Sequence, residues 1–212
     1  MPLQNRVDPA GEIVATTARG LFTGNRGVIH DPATKTLLPR RWTTRAWIVC
    51  TLEHPRGTRR EPMGRNSPSG GAGWTELFFL DEVTALAAGH RPCFYCRREA
   101  ARSFQNCFVG GNRLARATAP QIDSLLHCER HAVTGEMPPL QQDQIRHLPD
   151  GAVIAADTET LALRSGQALP WSFSGYGNPQ ALPAYASLVT PHSTVAALRA
   201  GYAPAWHASA SL

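Results

Sequence analysis

Lysine is almost missing from this chain. Of 21 basic residues only Lys35 is lysine, and the other 20 are arginine. Any positive surface is therefore built from planar guanidinium forks, which suit phosphates and base edges, rather than from compact ammonium charges. A GC-rich, arginine- and alanine-rich composition explains the same bias with no ligand at all. Long apolar runs are missing too. No stretch approaches a membrane span, and the opening MPLQNRVDPAGEIV lacks the apolar centre of a secretion signal. The expectation is a cytoplasmic protein with no membrane partner. Cysteine is sparse, with five in 212 residues. In a reducing compartment such a count does not make a disulfide framework, and a C-x-x-C pair points instead to metal or redox chemistry. A thioredoxin-like redox role requires a βαβ pattern after the pair, which is absent. Nor is there an internal repeat, or a strand-to-helix phosphate loop around the glycine-rich turn Thr23–Gly27.

What remains is an ordinary globular composition, 42% hydrophobic and 17% charged, long enough for one core or two small lobes. The charge is uneven. Residues 1–130 hold 18 Lys and Arg against 11 Asp and Glu, a balance of +7, whereas residues 131–212 hold 3 against 5, a balance of −2.

The most informative stretch is Glu76 to Phe108, ELFFLDEVTALAAGHRPCFYCRREAARSFQNCF. Glu76 to Leu80 reads as a strand. A short helix follows, opened by Asp81 as its capping residue and ended by Gly89, which accepts a left-handed backbone. Pro92 stiffens a turn presenting Cys93 and Cys96, whose two-residue spacing lets both thiolates chelate one ion. A second helix then places Ala100, Ala101, Phe104, Cys107 and Phe108 on its buried side, Cys107 as a small hydrophobe.

The segment from Leu80 to Arg97, above all Ala85–Cys93 (ALAAGHRPC) with Cys96, resembles the second half of the metal-binding module of Ada-type DNA-repair proteins. The remainder is similar to a group of small bacterial proteins, a likeness that implies no activity. The Ada-like resemblance implies zinc as cofactor and two further ligands from strands upstream, matched here by His30 and Cys50. Ada itself uses four thiolates, one of which accepts a methyl group. A set of one histidine and three cysteines carries one negative charge fewer and makes weaker nucleophiles, so methyl transfer is not implied. The resemblance also implies a nucleic-acid partner, DNA in the first instance, for which the phosphate-contacting candidates are Arg26, Arg45, His90, Arg91, Arg97 and Arg98.

Two rival arrangements use the same cysteines. In one, Cys93 and Cys96 join His127 and His131, which share a helix face at i and i+4 in a zinc-finger-like C-x2-C, H-x3-H pattern. In the other, His127-Cys128-Glu129 and Pro92-Cys93-x-x-Cys96 correspond to the two halves of a zinc deaminase signature, in reversed order. His127, Glu129 and Arg130 would then be catalytic, with Glu129 moving protons to and from a metal-activated water. The plain alternative for this trio is a polar helix end satisfied by capping and solvent. A structural or protein-interaction module is a third class, and oligomeric state is not legible.

Elsewhere, residues 1–30 read as polar turn material and Trp42 to Leu52 as a strand. Residues 54–74 read as a flexible basic loop bearing Arg56, Arg59, Arg60 and Arg65. Helices are expected at Pro120–His131, with Ile122, Leu125 and Leu126 on one face, and at Leu140–Leu148. Strands follow at Ala152–Ala156, Thr160–Leu163, Leu169–Phe173 and Ala186–Thr190, then a helix at Ser193–Ala200 stopped by Gly201. Trp171, Tyr176, Tyr202 and Trp206 are of the type that stacks on bases, but aromatic residues of a small β lobe are mostly core, which is the expectation here. The fold class is α+β: an N-terminal Ada-like zinc portion (1–150), then a small antiparallel meander with a final helix (151–212), the two able to share one core.

Overall fold

The computed structural model describes residues 1–53, 55, 57, 61–131 and 138–211. The chain begins with β1 (Gln4–Val7), β2 (Ile13–Ala15), β3 (Phe22–Asn25) and a small hairpin of β4 (His30–Asp31) and β5 (Thr36–Leu37). It continues through β6 (Ile48–Thr51), β7 (Leu77–Phe79), α1 (Glu82–Ala87) and β8 (Arg91–Pro92). Two helices follow, α2 (Arg98–Gly111) and α3 (Ala119–His131), then β9 (Leu140–Gln141) and α4 (Gln142–Arg146). The last part is β10 (Val153–Ala156), β11 (Glu159–Arg164), β12 (Gln167–Ser172), β13 (Gly175–Tyr176), β14 (Tyr185–Leu188) and α5 (His192–Arg199). The class is α+β.

Two six-stranded sheets result. The first has the order β2-β1-β7-β3-β6-β8 and is mixed, with parallel β1–β7 and β6–β8 pairs. The second, β13-β12-β11-β10-β14-β9, is antiparallel throughout. β10, β11, β12 and β14 lie close to the expected strands, with β10 to β12 buried over runs of neighbouring residues rather than on alternate ones, whereas β9 replaces the start of the helix expected at Leu140–Leu148 and β13 is an addition.

The first sheet departs from expectation. Residues 4–7, 13–15 and 22–25 are strands rather than turn material. Polar side chains on their inner faces obscure the pattern: Asn5 and Thr23 are buried, and Thr23 Oγ1 donates to the Leu77 carbonyl at 2.9 Å. Gly24 belongs to β3 because a Cβ there would stand 2.2 Å from the Ile48 carbonyl oxygen of the paired strand. Within residues 54–74, Arg56, Arg59 and Arg60 lie outside the described residues. In the described part of that loop, residues 61–74, Met63 is fully buried, and the Met63 amide and Asn66 Nδ2 both donate to the Glu76 carboxylate just before β7.

Helix α1 joins the two sheets. Every residue from Asp81 to His90 is buried, so this short helix is enclosed by the core on all sides. Ala85 and Ala88 pack with Val7, Val49, Leu77 and Phe79 of the first sheet. Val83 and Ala87 pack with Val153, Ala162 and Leu169 of the second. Leu86 meets Phe104 and Phe108 of α2, Ile122 and Leu126 of α3 and Leu198 of α5. Leu125, expected on the inner face of α3, is exposed, and Cys107 is half-buried against the helical cluster. Asp81 caps α1 through the Thr84 amide at 2.9 Å, and Gly89 ends it with φ +78°, both as the sequence indicates.

Candidate metal centre

Strand register brings the cysteines together. β8 runs parallel to β6, pairing Ile48 with Arg91 and Val49 with Pro92, and the Cys93 amide donates to the Val49 carbonyl at 3.0 Å. Cys93 therefore lies beside Cys50. Pro92 is tolerated because β8 is the edge strand, whose outer side needs no donor. The turn after Cys93 closes by a bond from the Arg97 amide to the Cys93 carbonyl, 2.9 Å, which brings Cys96 round to the same point. The sulfur atoms of Cys50, Cys93 and Cys96 all lie within 4.8 Å of one another. Thiolates on one tetrahedral zinc ion, with bonds of about 2.3 Å, stand roughly 3.8 Å apart, so the three donors fit a soft metal ion of that size.

The thiols also shape one another electrostatically. Cys93 is drawn well below the ordinary thiol range, because the Cys50 and Cys96 thiols hydrogen-bond to its sulfur and backbone amides of the turn point at it; the Tyr95 amide is 3.4 Å away. Cys50 is pushed up, first by its role as donor to Cys93. A cation held among the three sulfurs would displace the protons they carry, because the thiolate and not the thiol is the metal ligand.

Two buried ion pairs hold the turn in place. Arg97 makes a two-pronged contact with Glu82, 2.7 and 2.8 Å, at the start of α1. Arg91 makes another with Asp123 of α3, also 2.7 and 2.8 Å. Paired guanidinium and carboxylate planes of this kind fix orientation as well as charge.

His30 stands outside the cluster. β3 is antiparallel to β6, so the chain beyond Asn25 continues past the Ile48 end, away from Cys50. The buried His30 ring bonds to Thr75 Oγ1 at 2.6 Å and faces the Gly64 carbonyl at 3.3 Å. Among the described residues, no fourth histidine, cysteine or carboxylate joins the three cysteines. The structure likewise does not gather His127 and His131 with Cys93 and Cys96. Those histidines pack on each other and on the exposed Trp42, with ring centroids 4.5 to 5.6 Å apart.

The remaining candidates have structural partners. Glu129 receives the Ser193 amide (3.1 Å) and hydroxyl (2.7 Å), tying α3 to the first turn of α5. Arg130 donates from Nε to the Gly89 carbonyl at 3.0 Å and lies over the Trp47 ring at 4.3 Å. Arg26, almost fully buried, covers the same ring at 3.9 Å and donates through Nε to His90 Nε2 at 3.3 Å. His90 is fully buried and held well below the usual imidazole range by burial, then by Arg26 and Arg130. Of the six arginine and histidine candidates for phosphate contact, Arg26, His90, Arg91 and Arg97 are thus engaged inside the protein, while Arg45 and Arg98 are exposed. The cluster of Arg26, Trp47, His90 and Arg130 has no signature in the sequence, since four separated segments supply it.

No family model matches the chain, and comparison with curated proteins and with solved structures finds no match either.

Proposed function

We propose that this chain is a zinc-stabilised protein that associates with nucleic acid, the metal fastening the Cys93–Cys96 turn to the first sheet. One observation carries the reading: Cys50 on a strand and the C-x-x-C turn converge within 4.8 Å, although they are 43 residues apart in sequence, the difference between positions 50 and 93. That combination of an upstream strand cysteine with a Gly-x-x-Pro-Cys-x-x-Cys turn is what the resemblance to Ada-type modules implies, and it supports zinc as the ion. Three thiolates leave one coordination position for a further donor.

Nucleic-acid association is supported by a surface other than the buried arginines. Arg40, Arg41 and Arg45 are exposed around Trp42, whose ring is propped by His127 and His131. Guanidiniums flanking an aromatic face suit a single-stranded backbone and its bases. The test is binding of a fluorescent single-stranded oligonucleotide across a salt series. Affinity is expected to fall with log salt, and substitution of Arg40, Arg41 and Arg45 by alanine together should flatten the slope by about 0.7 for each phosphate no longer neutralised. Undetectable binding at low salt would leave a metal-stabilised module without a nucleic-acid role.

A further inference from the structure

A cleft of about 380 Å3 opens beside the first sheet, between the N-terminal segment, the loop from β2 to β3 and the end of β6. That volume lies in the range of small-ligand sites. Its polar side is formed by Asn5, Arg6, Arg19 and Thr17, and among the described residues no carboxylate lines it. Its apolar side includes Leu3, Leu52 and Phe78.

Three features of the polar side lack an internal explanation. Asn5 is fully buried, and its Oδ1 accepts from Arg6 Nη1, which makes Nδ2 the free end of the amide; Nδ2 has no hydrogen-bond partner among the described residues. A buried donor left unspent is unfavourable unless something accepts from it. Arg6 is fixed by a 2.7 Å bond from Nε to the Ala18 carbonyl and by the Phe78 ring beneath it, 4.9 Å away. Burial and then the neighbouring Arg19 both lower the Arg6 pKa, and among the described residues no carboxylate pairs with either guanidinium. Arg19 has no ion pair among the described residues.

We propose that this cleft binds a phosphomonoester with an apolar or aromatic body. The phosphate is held by Arg6, Arg19 and the Asn5 amide, and the body lies against Leu3, Leu52 and Phe78. A phosphomonoester near neutral pH carries close to two charges and three strong acceptor oxygens. It can meet two cations and a neutral donor at once, which a carboxylate with two oxygens does less completely. The proposal is independent of the metal reading, as none of these residues belongs to the cysteine cluster.

The test uses the full chain with adenosine monophosphate, phenyl phosphate, adenosine and inorganic phosphate, followed by calorimetry and by chemical-shift changes. Both organic phosphates are expected to bind. Inorganic phosphate should bind at least tenfold more weakly than either, and adenosine not measurably. Arg19→Ala and Thr17→Glu alter exposed positions, so the ligand-free melting temperature should hold, while binding weakens at least tenfold in the first and disappears in the second. Two results would overturn the proposal: no binding of either phosphomonoester at millimolar concentration, or binding that both substitutions leave unchanged.

Discussion

The two ends of α1 solve the same problem in different ways. Each is a polar junction inside the protein, acidic at the N-terminus and cationic at the C-terminus, which is the order favoured by the helix dipole. At the N-terminal end every carboxylate is engaged. Asp81 takes the Thr84 amide and hydroxyl, the Tyr176 hydroxyl at 2.9 Å and the His207 amide at 3.0 Å. Glu82 takes the Arg97 fork, the Tyr202 hydroxyl at 2.6 Å and the Ala205 amide at 2.8 Å. At the C-terminal end, Arg26 and Arg130 lie on Trp47, and among the described residues no carboxylate is bonded to either and the Nη2 atom of each has no hydrogen-bond partner. Carboxylates buried here require matched donors, whereas a guanidinium can be housed largely by an aromatic face.

That contrast ranks the mutations. Glu82→Ala should be the most damaging, because it strands a buried guanidinium and unpairs Tyr202 and Ala205 together. A loss of about 3–5 kcal/mol in urea unfolding is expected, as for other buried pairs deprived of one partner. Trp47→Leu at the opposite end should cost less, about 2–3 kcal/mol, from two cation–π contacts near 1 kcal/mol each and one indole hydrogen bond. If Trp47→Leu proved the costlier of the two, the distinction between paired and stacked charges would fail.

A smaller effect appears with pH. His90 titrates below its ordinary 6.5 in the folded protein, so as pH falls through 6.5 the unfolded chain takes up a proton there and the folded chain does not. Stability is therefore lost toward acid, by up to about 1.4 kcal/mol per pH unit. Asp8 and Asp81, raised first by burial, have the opposite sign, since the folded state takes their protons first. The difference between wild type and His90→Gln isolates the histidine. Between pH 7 and 5 the variant should lose less stability than wild type, and equal losses would mean that His90 is not held neutral.

Much of this molecule can be read from its sequence, but unevenly. The Asp81 cap, the Gly89 stop, the C-x-x-C turn and the meander after residue 150 are legible because each depends on a residue's own backbone preference or on alternation within a few positions. Tyr176 and Tyr202 are core residues, as their type indicates, though their bonds to Asp81 and Glu82 depend on segments 95 and 120 residues apart being brought together. The strands β1 to β3 are hidden from such a reading because their inward-facing Asn5 and Thr23 are polar and become buried only through tertiary structure. In the candidate metal centre, Cys93 and Cys96 follow from spacing, while Cys50 is visible only through the resemblance. His30, matched on the same ground, lies outside because its placement depends on the direction of β3, which no local pattern discloses.

The most direct measurement is metal content with ligand counting. Protein purified without chelator should contain about one zinc per chain, and its cobalt-substituted form should show thiolate-to-metal absorption of three-sulfur intensity. Cys50→Ser, Cys93→Ser and Cys96→Ser should each lower metal content and melting temperature, whereas His30→Ala should keep the metal and lose stability only through Thr75 and Gly64. Metal-free protein that melts no lower, or zinc retained after Cys50→Ser, would contradict a centre built from these three cysteines.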